Sequence, residues 1–435
     1  MGKELAIKGG ERVVPAGMIK KWPWITEEDK KAILEALDRG ILWGVNAPNV
    51  KALEEGWAEY VGTKYCLTAN SGTAALHMAV AAVGIEPGDE VITSAYTFLA
   101  SASCILHQLG IPVFVDIDPD TLNIDPRKIE ERITEKTRAI IPVHLHGLPA
   151  DMDPINELAK KHNLAVIEDT SQSQGAVYKG KKVGSLSDIG AGSIQCTKVF
   201  ASGGEGGLFT TNSAEYIEKA KLVRLFGEEE IEPGRPREYN ALTMGWNYRM
   251  SELIAAFAYS QFKRFDKLVA LRQKNCEHLS RRLSEIPGVE PPFIPEHSTH
   301  VYFLYPIKFK PEQLNIDIDV TAFVDTVQKV LEAEGVPVTK WQKMPVPAQS
   351  LFQEKRGFGK GYPWSCKEAR KNIAYVPEEY PVTLDVISRT LFLGHEGGGL
   401  TPPNDTELAG LYADAFEKVL IDNRDEIIAM AQQCL

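Results

Sequence analysis

From about Ala32 to Lys263 the chain alternates short apolar runs with longer amphipathic ones. The apolar runs "YCLTA", "EVITSA", "PVFVDI", "AIIPVHL", "LAVIED", "GSIQC" and "GLFTT" predict strands. Between them, stretches such as "GTAALHMAVAAVG" and "DPINELAKKH" predict helices. Such alternation indicates an α/β domain built on a mostly parallel, seven-stranded sheet. In open sheets of this kind ligands gather at the carboxyl ends of the strands. The stretch "RMSELIAAFAYSQFKRFDKLVALRQKNCEHLSRRL" then reads as one long amphipathic helix. It leads into "HVYFLYPIKF", "GVPVTKW" and a helical C-terminus, the pattern of a smaller α+β domain. The expected boundary lies near Arg264, with a large domain at 1–264 that includes the N-terminal segment and a small one at 265–435. The polar, glycine-containing "QEKRGFGKGYPW" predicts a loop or lid.

Four strand ends carry residues suited to chemistry. In "ANSGTAALHMAV", Ser71, Gly72 and Thr73 would offer backbone N–H groups and two hydroxyls at a helix start, which suits a phosphate. An ordinary N-cap is the alternative. Phe98, after "EVITSAYT", can lie flat on a planar ring or fill the core. "LAVIED" ends in Glu168 and Asp169; an acid facing a buried site needs a cation, such as a protonated ring nitrogen, and a helix-capping aspartate is the alternative. In "GSIQCTKVFASGGEGG" a lysine, Lys198, follows Ser193 by five positions and precedes a run of glycines. An amine between an apolar strand and a glycine loop would be partly desolvated, lowering its pKa and freeing it as a nucleophile. A surface lysine beside a hairpin is the alternative. A phosphate seat, a stacking aromatic, an acid for a ring nitrogen and an imine-forming lysine together are the parts that pyridoxal phosphate requires.

Composition narrows the class. The 435 residues exceed one compact core, and 44% hydrophobic with 25% charged content is ordinary for a globular enzyme. A net charge of −11 argues against a nucleic-acid partner. The six cysteines show no CxxC spacing, so neither a metal site nor a disulfide framework is expected. The start of the chain lacks a signal-peptide core, and no apolar run reaches the ~18 residues of a membrane span. A cytoplasmic protein is the expectation.

The ordered motifs S-G-T, T-F, E-D-x-x-Q, S-x-x-x-x-K and G-W-N-Y-R-M resemble the DegT/DnrJ/StrS family of aminotransferases, from about Trp22 to Arg249 and more weakly beyond. The resemblance implies a fold-type-I, pyridoxal-phosphate-dependent enzyme. It would move an amino group from glutamate or glutamine to a keto-sugar, often nucleotide-linked, or to a keto-cyclitol. Lys198 would hold the cofactor as an imine, and Asp169 would pair with its ring nitrogen. Phe98 would stack on the ring, Gln172 would approach the 3-hydroxyl side, and Ser71, Gly72, Thr73 and Ser193 would serve the phosphate. Asn247 would reach the phosphate of the neighbouring subunit, which implies a homodimer with shared sites.

The chain departs from the family pattern at "SQSQGA", where Gln174 replaces a usual histidine, and at "SIQCTK" with Gln195. Gln195, "WPWITEEDKKAILEALDRGILWG" with Trp22 and Trp24, and "TLFLGHEGGGL" with His395 are similar to the inosose aminotransferase and 3-amino-5-hydroxybenzoate synthase subgroup. Sugar dehydratases of the family carry histidine where this chain keeps Lys198, and a non-catalytic regulatory relative would have lost Lys198, Asp169 or the phosphate seat. A dinucleotide-binding oxidoreductase would need GxGxxG where "CLTANSGTAAL" stands.

Overall fold

A computed structural model describes residues 4–230, 236–314, 318–394 and 399–433. The strands are β1 (Tyr65–Ala69), β2 (Glu90–Ser94), β3 (Ile111–Val115), β4 (Thr137–Ile141), β5 (Ala165–Asp169), β6 (Val177–Tyr178), β7 (Lys181–Lys182), β8 (Ile189–Ser193), β9 (Gly207–Thr211), β10 (Val289–Glu290), β11 (Tyr305–Phe309) and β12 (Thr390–Leu393). The helices used below are α1 (Glu27–Arg39), α2 (Pro48–Val61), α3 (Gly72–Ala82), α4 (Ala100–His107), α5 (Met152–His162), α6 (Ala214–Arg224), α7 (Glu252–Phe262), α8 (Phe265–Leu283) and α9 (Val320–Ala333).

A seven-stranded sheet runs in the order β1-β9-β8-β5-β4-β2-β3. Only β9 is antiparallel to its neighbours, β1 and β8; every other pairing is parallel. The carboxyl ends of β1, β2, β4, β5 and β8 therefore share one edge. Both faces are covered, which explains apolar runs instead of strict alternation. Ile140 and Val166 pack on Ile155 of α5, while Ala139, Ile141 and Ile167 face the opposite cluster with Leu76 and Met78 of α3. A second, smaller unit pairs β10, β11 and β12 antiparallel. Its core joins α9 with the last two turns of α8 and, from the start of the chain, Leu5, Val13 and Val14.

The structure corrects several expected elements. β8 is "IGAGS" and stops at Ser193, so "IQC" belongs to the turn that carries Lys198. β4 stops at Ile141 because Pro142 has no N–H to donate to a ladder. The long helix is two helices, α7 and α8. At the break Arg264 turns back, donating to Trp24 O and, at 2.6 Å, to Asp29 Oδ2. "GVPVTKW" forms only an isolated bridge, Thr339 with Phe392. The "QEKRGFGKGYPW" segment is irregular, as expected of a loop; it buries Trp364 against Phe352 and Tyr375, and its residues are not among those lining the cavity described next.

Candidate active site

The carboxyl edge of the sheet opens into a cavity of about 630 Å³. Its walls include Ser71, Gly72, Thr73, Phe98, Asp169, Gln172, Ser193 and Lys198, so eight of the nine residues expected from the sequence meet in one place. Asn247 is the exception. It lies exposed outside its own chain's cavity, in a short segment bridged to Leu225.

The helix start is built by close approach. β1 and β8 both end opposite Gly207, Ala69 and Ser193 being its partners. A Cβ at Gly207 would stand 2.2 Å from Ser71 O, and one at Gly72 would stand 2.3 Å from Ser193 Cβ. Glycine at both positions lets α3 begin directly against the end of β8. The Ser71 hydroxyl accepts from Ala74 N at 3.1 Å, so its side chain does perform the capping role that was the alternative reading. The Thr73 hydroxyl has no partner among the described residues, and Gly72 and Thr73, the first two residues of α3, line the cavity. Ser193 Oγ accepts from Gln195 N at 3.1 Å.

The two carboxylates of "LAVIED" separate cleanly. Glu168 is wholly enclosed, with bonds from His144 Nε2 at 3.0 Å, Gly184 N at 2.6 Å and Leu186 N at 2.7 Å, and holds the sheet together. Asp169 faces the cavity while 3% exposed. Its Oδ2 accepts from Ser101 Oγ at 2.7 Å and its Oδ1 from Ser171 N at 3.0 Å. Among the described residues no cation forms an ion pair with it. Gln172 is fixed by the His146 backbone N–H, which donates to its Oε1 at 2.8 Å, and its Nε2 has no partner among the described residues.

Lys198 sits in the turn after β8, its backbone N–H bonded to Gln195 O at 2.8 Å and its carbonyl accepting from Trp22 Nε1 at 3.0 Å. Its ammonium lies 4.2 Å from the centre of the Phe303 ring. Burial pulls its pKa down from 10.5 to about 8, against an upward pull from the Asp169 and Glu205 carboxylates. Both Asp169 and Lys198 thus reach the cavity without an ion-paired partner among the described residues.

Other lining residues had no clear signal in sequence. Phe303, Trp341, Gln342 and Gly394 arrive from the second unit, and Gln342 Nε2 closes onto Thr97 O at 3.2 Å. Ser101 was legible only as a hydroxyl in the first turn of α4. Of the remaining expectations, Gln195 lines the cavity but spends Oε1 on Thr197 N at 2.8 Å. Gln174 lies beneath the cavity, donating to Ser193 O. Trp24 supplies its carbonyl to Gln261 Nε2 at 3.2 Å. His395 lies outside the described residues.

These groups fit pyridoxal phosphate. N–H groups and the Thr73 hydroxyl suit the phosphate, a buried carboxylate without a counter-ion suits a protonated ring nitrogen, and a desolvated amine suits the aldehyde. Phe98, 57% exposed in the single chain, offers a flat face at the cavity wall.

Comparison with known proteins agrees. Residues 23–383 match the DegT/DnrJ/EryC1/StrS aminotransferase family. GDP-perosamine synthase of Caulobacter vibrioides is 38% identical over 72% of this chain and 81% of its own length. L-glutamine:2-deoxy-scyllo-inosose aminotransferase of Streptomyces fradiae is 34% identical over 98% of this chain and 99% of its own. The crystal structure of NtdA from Bacillus subtilis with bound cofactor PMP superposes with a TM-score of 0.74 at 27% identity, covering 93% of this chain and 83% of that one. The chain belongs to the DegT/DnrJ/EryC1/StrS aminotransferase family and is a pyridoxal-phosphate-dependent aminotransferase.

Proposed function

We propose that this aminotransferase takes an amino group from glutamine or glutamate and places it on a ring ketone of a sugar or cyclitol. The observation that carries the reading is the shared cavity of Lys198 and Asp169, each without an ion-paired partner among the described residues. Around them Thr97, Thr197, Glu205 and Gln342 supply polar groups, and Lys198 is the one cation among the lining residues described. Such walls suit a hydroxylated ring. The inosose aminotransferase similarity, which runs nearly end to end, points the same way.

When bound, pyridoxal phosphate supplies an electron-accepting ring through which one amine is exchanged for another. Lys198 would give the covalent anchor, and its amine, kept by burial below the ordinary lysine pKa, would serve as the base that moves a proton once freed. Asp169, held by Ser101 and Ser171, would keep the ring nitrogen protonated. Gln172 would approach the 3-hydroxyl side, and Phe98 would cover one ring face. Gly72, Thr73 and Ser193 would seat the phosphate.

The working unit is a homodimer in which Asn247 of each chain completes the other's phosphate seat. Its support is the exposed position of Asn247 beside an apolar surface: Trp43, Tyr239 and Met244 are 73%, 76% and 74% exposed. Arg249 lies 5.4 Å from the Trp43 ring, which joins Asn247 to that surface. Cytoplasmic residence is supported by the buried free thiols of Cys66, Cys104 and Cys276.

The test is spectroscopic. Purified protein should be yellow; glutamine or glutamate should bleach its visible imine band, and a keto-cyclitol or a nucleotide-linked keto-sugar should restore it. No bleaching by either donor, or restoration only by acyclic keto acids, contradicts the reading.

A further inference from the structure

Asn70 stands between β1 and the start of α3, immediately before the phosphate seat, yet its hydrogen bonds lead away from the seat. Its backbone N–H donates to Tyr248 O at 2.7 Å. Its side-chain amide donates to Asn247 O at 3.0 Å. A further link comes from α3: His77 Nδ1 and the Tyr248 hydroxyl are 3.0 Å apart. The other nitrogen of His77 is 3.1 Å from Gln108 Oε1, so the buried ring is held at both ends. On its other side the segment is anchored by Trp246 N to Val223 O at 2.8 Å and Tyr248 N to Arg224 O at 3.1 Å. Asn247 stays exposed, and its Oδ1 accepts from Arg249 Nε at 3.0 Å. The stretch around Asn247 therefore has no regular ladder of its own and depends on these few bonds for its path.

We propose that Asn70 is a positioning residue that ties each chain's own phosphate seat to the Asn247 it presents to the neighbouring subunit. This rests on the shared-seat reading given above. The amide of Asn70 is the one side-chain donor on the Asn247 carbonyl among the described residues, so removing it loosens the residue that crosses to the partner while leaving the covalent path of its own seat intact.

The test uses full-length hybrid dimers, purified with two affinity tags, in which Lys198→Ala leaves one attachment lysine per dimer. In one hybrid Asn70→Ala and Lys198→Ala share a chain, and the partner is wild type. In the other the two substitutions lie on opposite chains. The readout is cofactor fixed by borohydride at the single lysine across a cofactor titration, which does not depend on turnover. The expected result is an apparent dissociation constant raised roughly three- to tenfold in the first hybrid, the scale of one lost hydrogen bond, and unchanged in the second. The reverse pattern places the effect in Asn70's own seat and overturns the proposal; no effect in either hybrid overturns it as well. Asn247→Ala in the same two arrangements tests the shared seat independently. A loss confined to Asn247→Ala on the lysine-bearing chain, or no loss at all, refutes the shared seat and the inference with it.

Discussion

The Ser101 hydroxyl donates to Asp169 Oδ2 at 2.7 Å, and Thr97 Oγ1 lies 2.9 Å from Ser101 Oγ. Two hydroxyls, Thr97 from the β2–α4 connection and Ser101 from the first turn of α4, thereby aim a carboxylate that belongs to β5. A hydrogen bond to a charged group contributes about 1.5–3 kcal/mol. Ser101→Ala should lower kcat/KM by about 10- to 100-fold with an unchanged circular dichroism spectrum, while Ser101→Thr restores most of it. Activity within about twofold of wild type would show that Asp169 is aimed by other groups.

Gly72→Ala places a methyl 2.3 Å from Ser193 Cβ and 2.6 Å from Ser193 Cα. Relief requires α3 to move away from β8, and overpacking of this kind costs about 1–3 kcal/mol. Cofactor retention on dialysis should fall by at least about tenfold, with a lower thermal midpoint in the apoprotein. A variant that keeps cofactor as wild type does would contradict the close-approach account of the seat.

The Lys198 amine loses its proton near pH 8, well below the ordinary 10.5, chiefly through burial. Recombination of apoprotein with pyridoxal phosphate should therefore rise with pH and reach its half-point near 8. Asp169→Asn removes an upward pull and should move that half-point lower. Linkage has the same sign: between about 8 and 10.5 the unfolded chain still holds a proton the folded one has released, so this group favours the fold more as pH rises. Below about 8 both states are protonated and its contribution is flat. Urea melts of wild-type and Lys198→Met apoprotein at pH 7 and 10 measure the difference.

Arg224 is buried between Glu54, at 2.6 Å, and Glu230, at 2.5 Å. Glu54 also accepts from Thr68 N at 2.7 Å and Thr68 Oγ1 at 2.8 Å, holding β1 just ahead of the proposed phosphate seat. Glu54→Ala leaves Arg224 paired with Glu230 but takes the acceptor from Thr68 N and Oγ1. A buried donor left unsatisfied costs about 1–3 kcal/mol, and that loss is expected in denaturant unfolding of the apoprotein, with looser cofactor binding. Replacing exposed Glu55, paired with Lys51 at 3.7 Å, should change stability by less than about 0.5 kcal/mol.

Much of this site was legible because its residues punctuate apolar runs. Asp169 ends "LAVIED" and Gly72 begins a helix after "YCLTA", so a sheet of that order brings them to one edge. The end of β8 was misplaced because "GSIQC" is as apolar as the true strand "IGAGS", whose narrow glycines fit where Thr170 Oγ1 would stand 2.5 Å from a Cβ at Gly192. The break between α7 and α8 carries neither glycine nor proline; it is set by the tertiary bonds of Arg264. Phe303, Trp341 and Gln342 could not be read at all, since only the packing of the second unit brings them to the sheet edge.

The most direct measurement is borohydride reduction of the native holoprotein followed by peptide mass mapping. The account predicts one modified residue, Lys198, carrying the reduced cofactor. Label on a different side chain, or none, would contradict it.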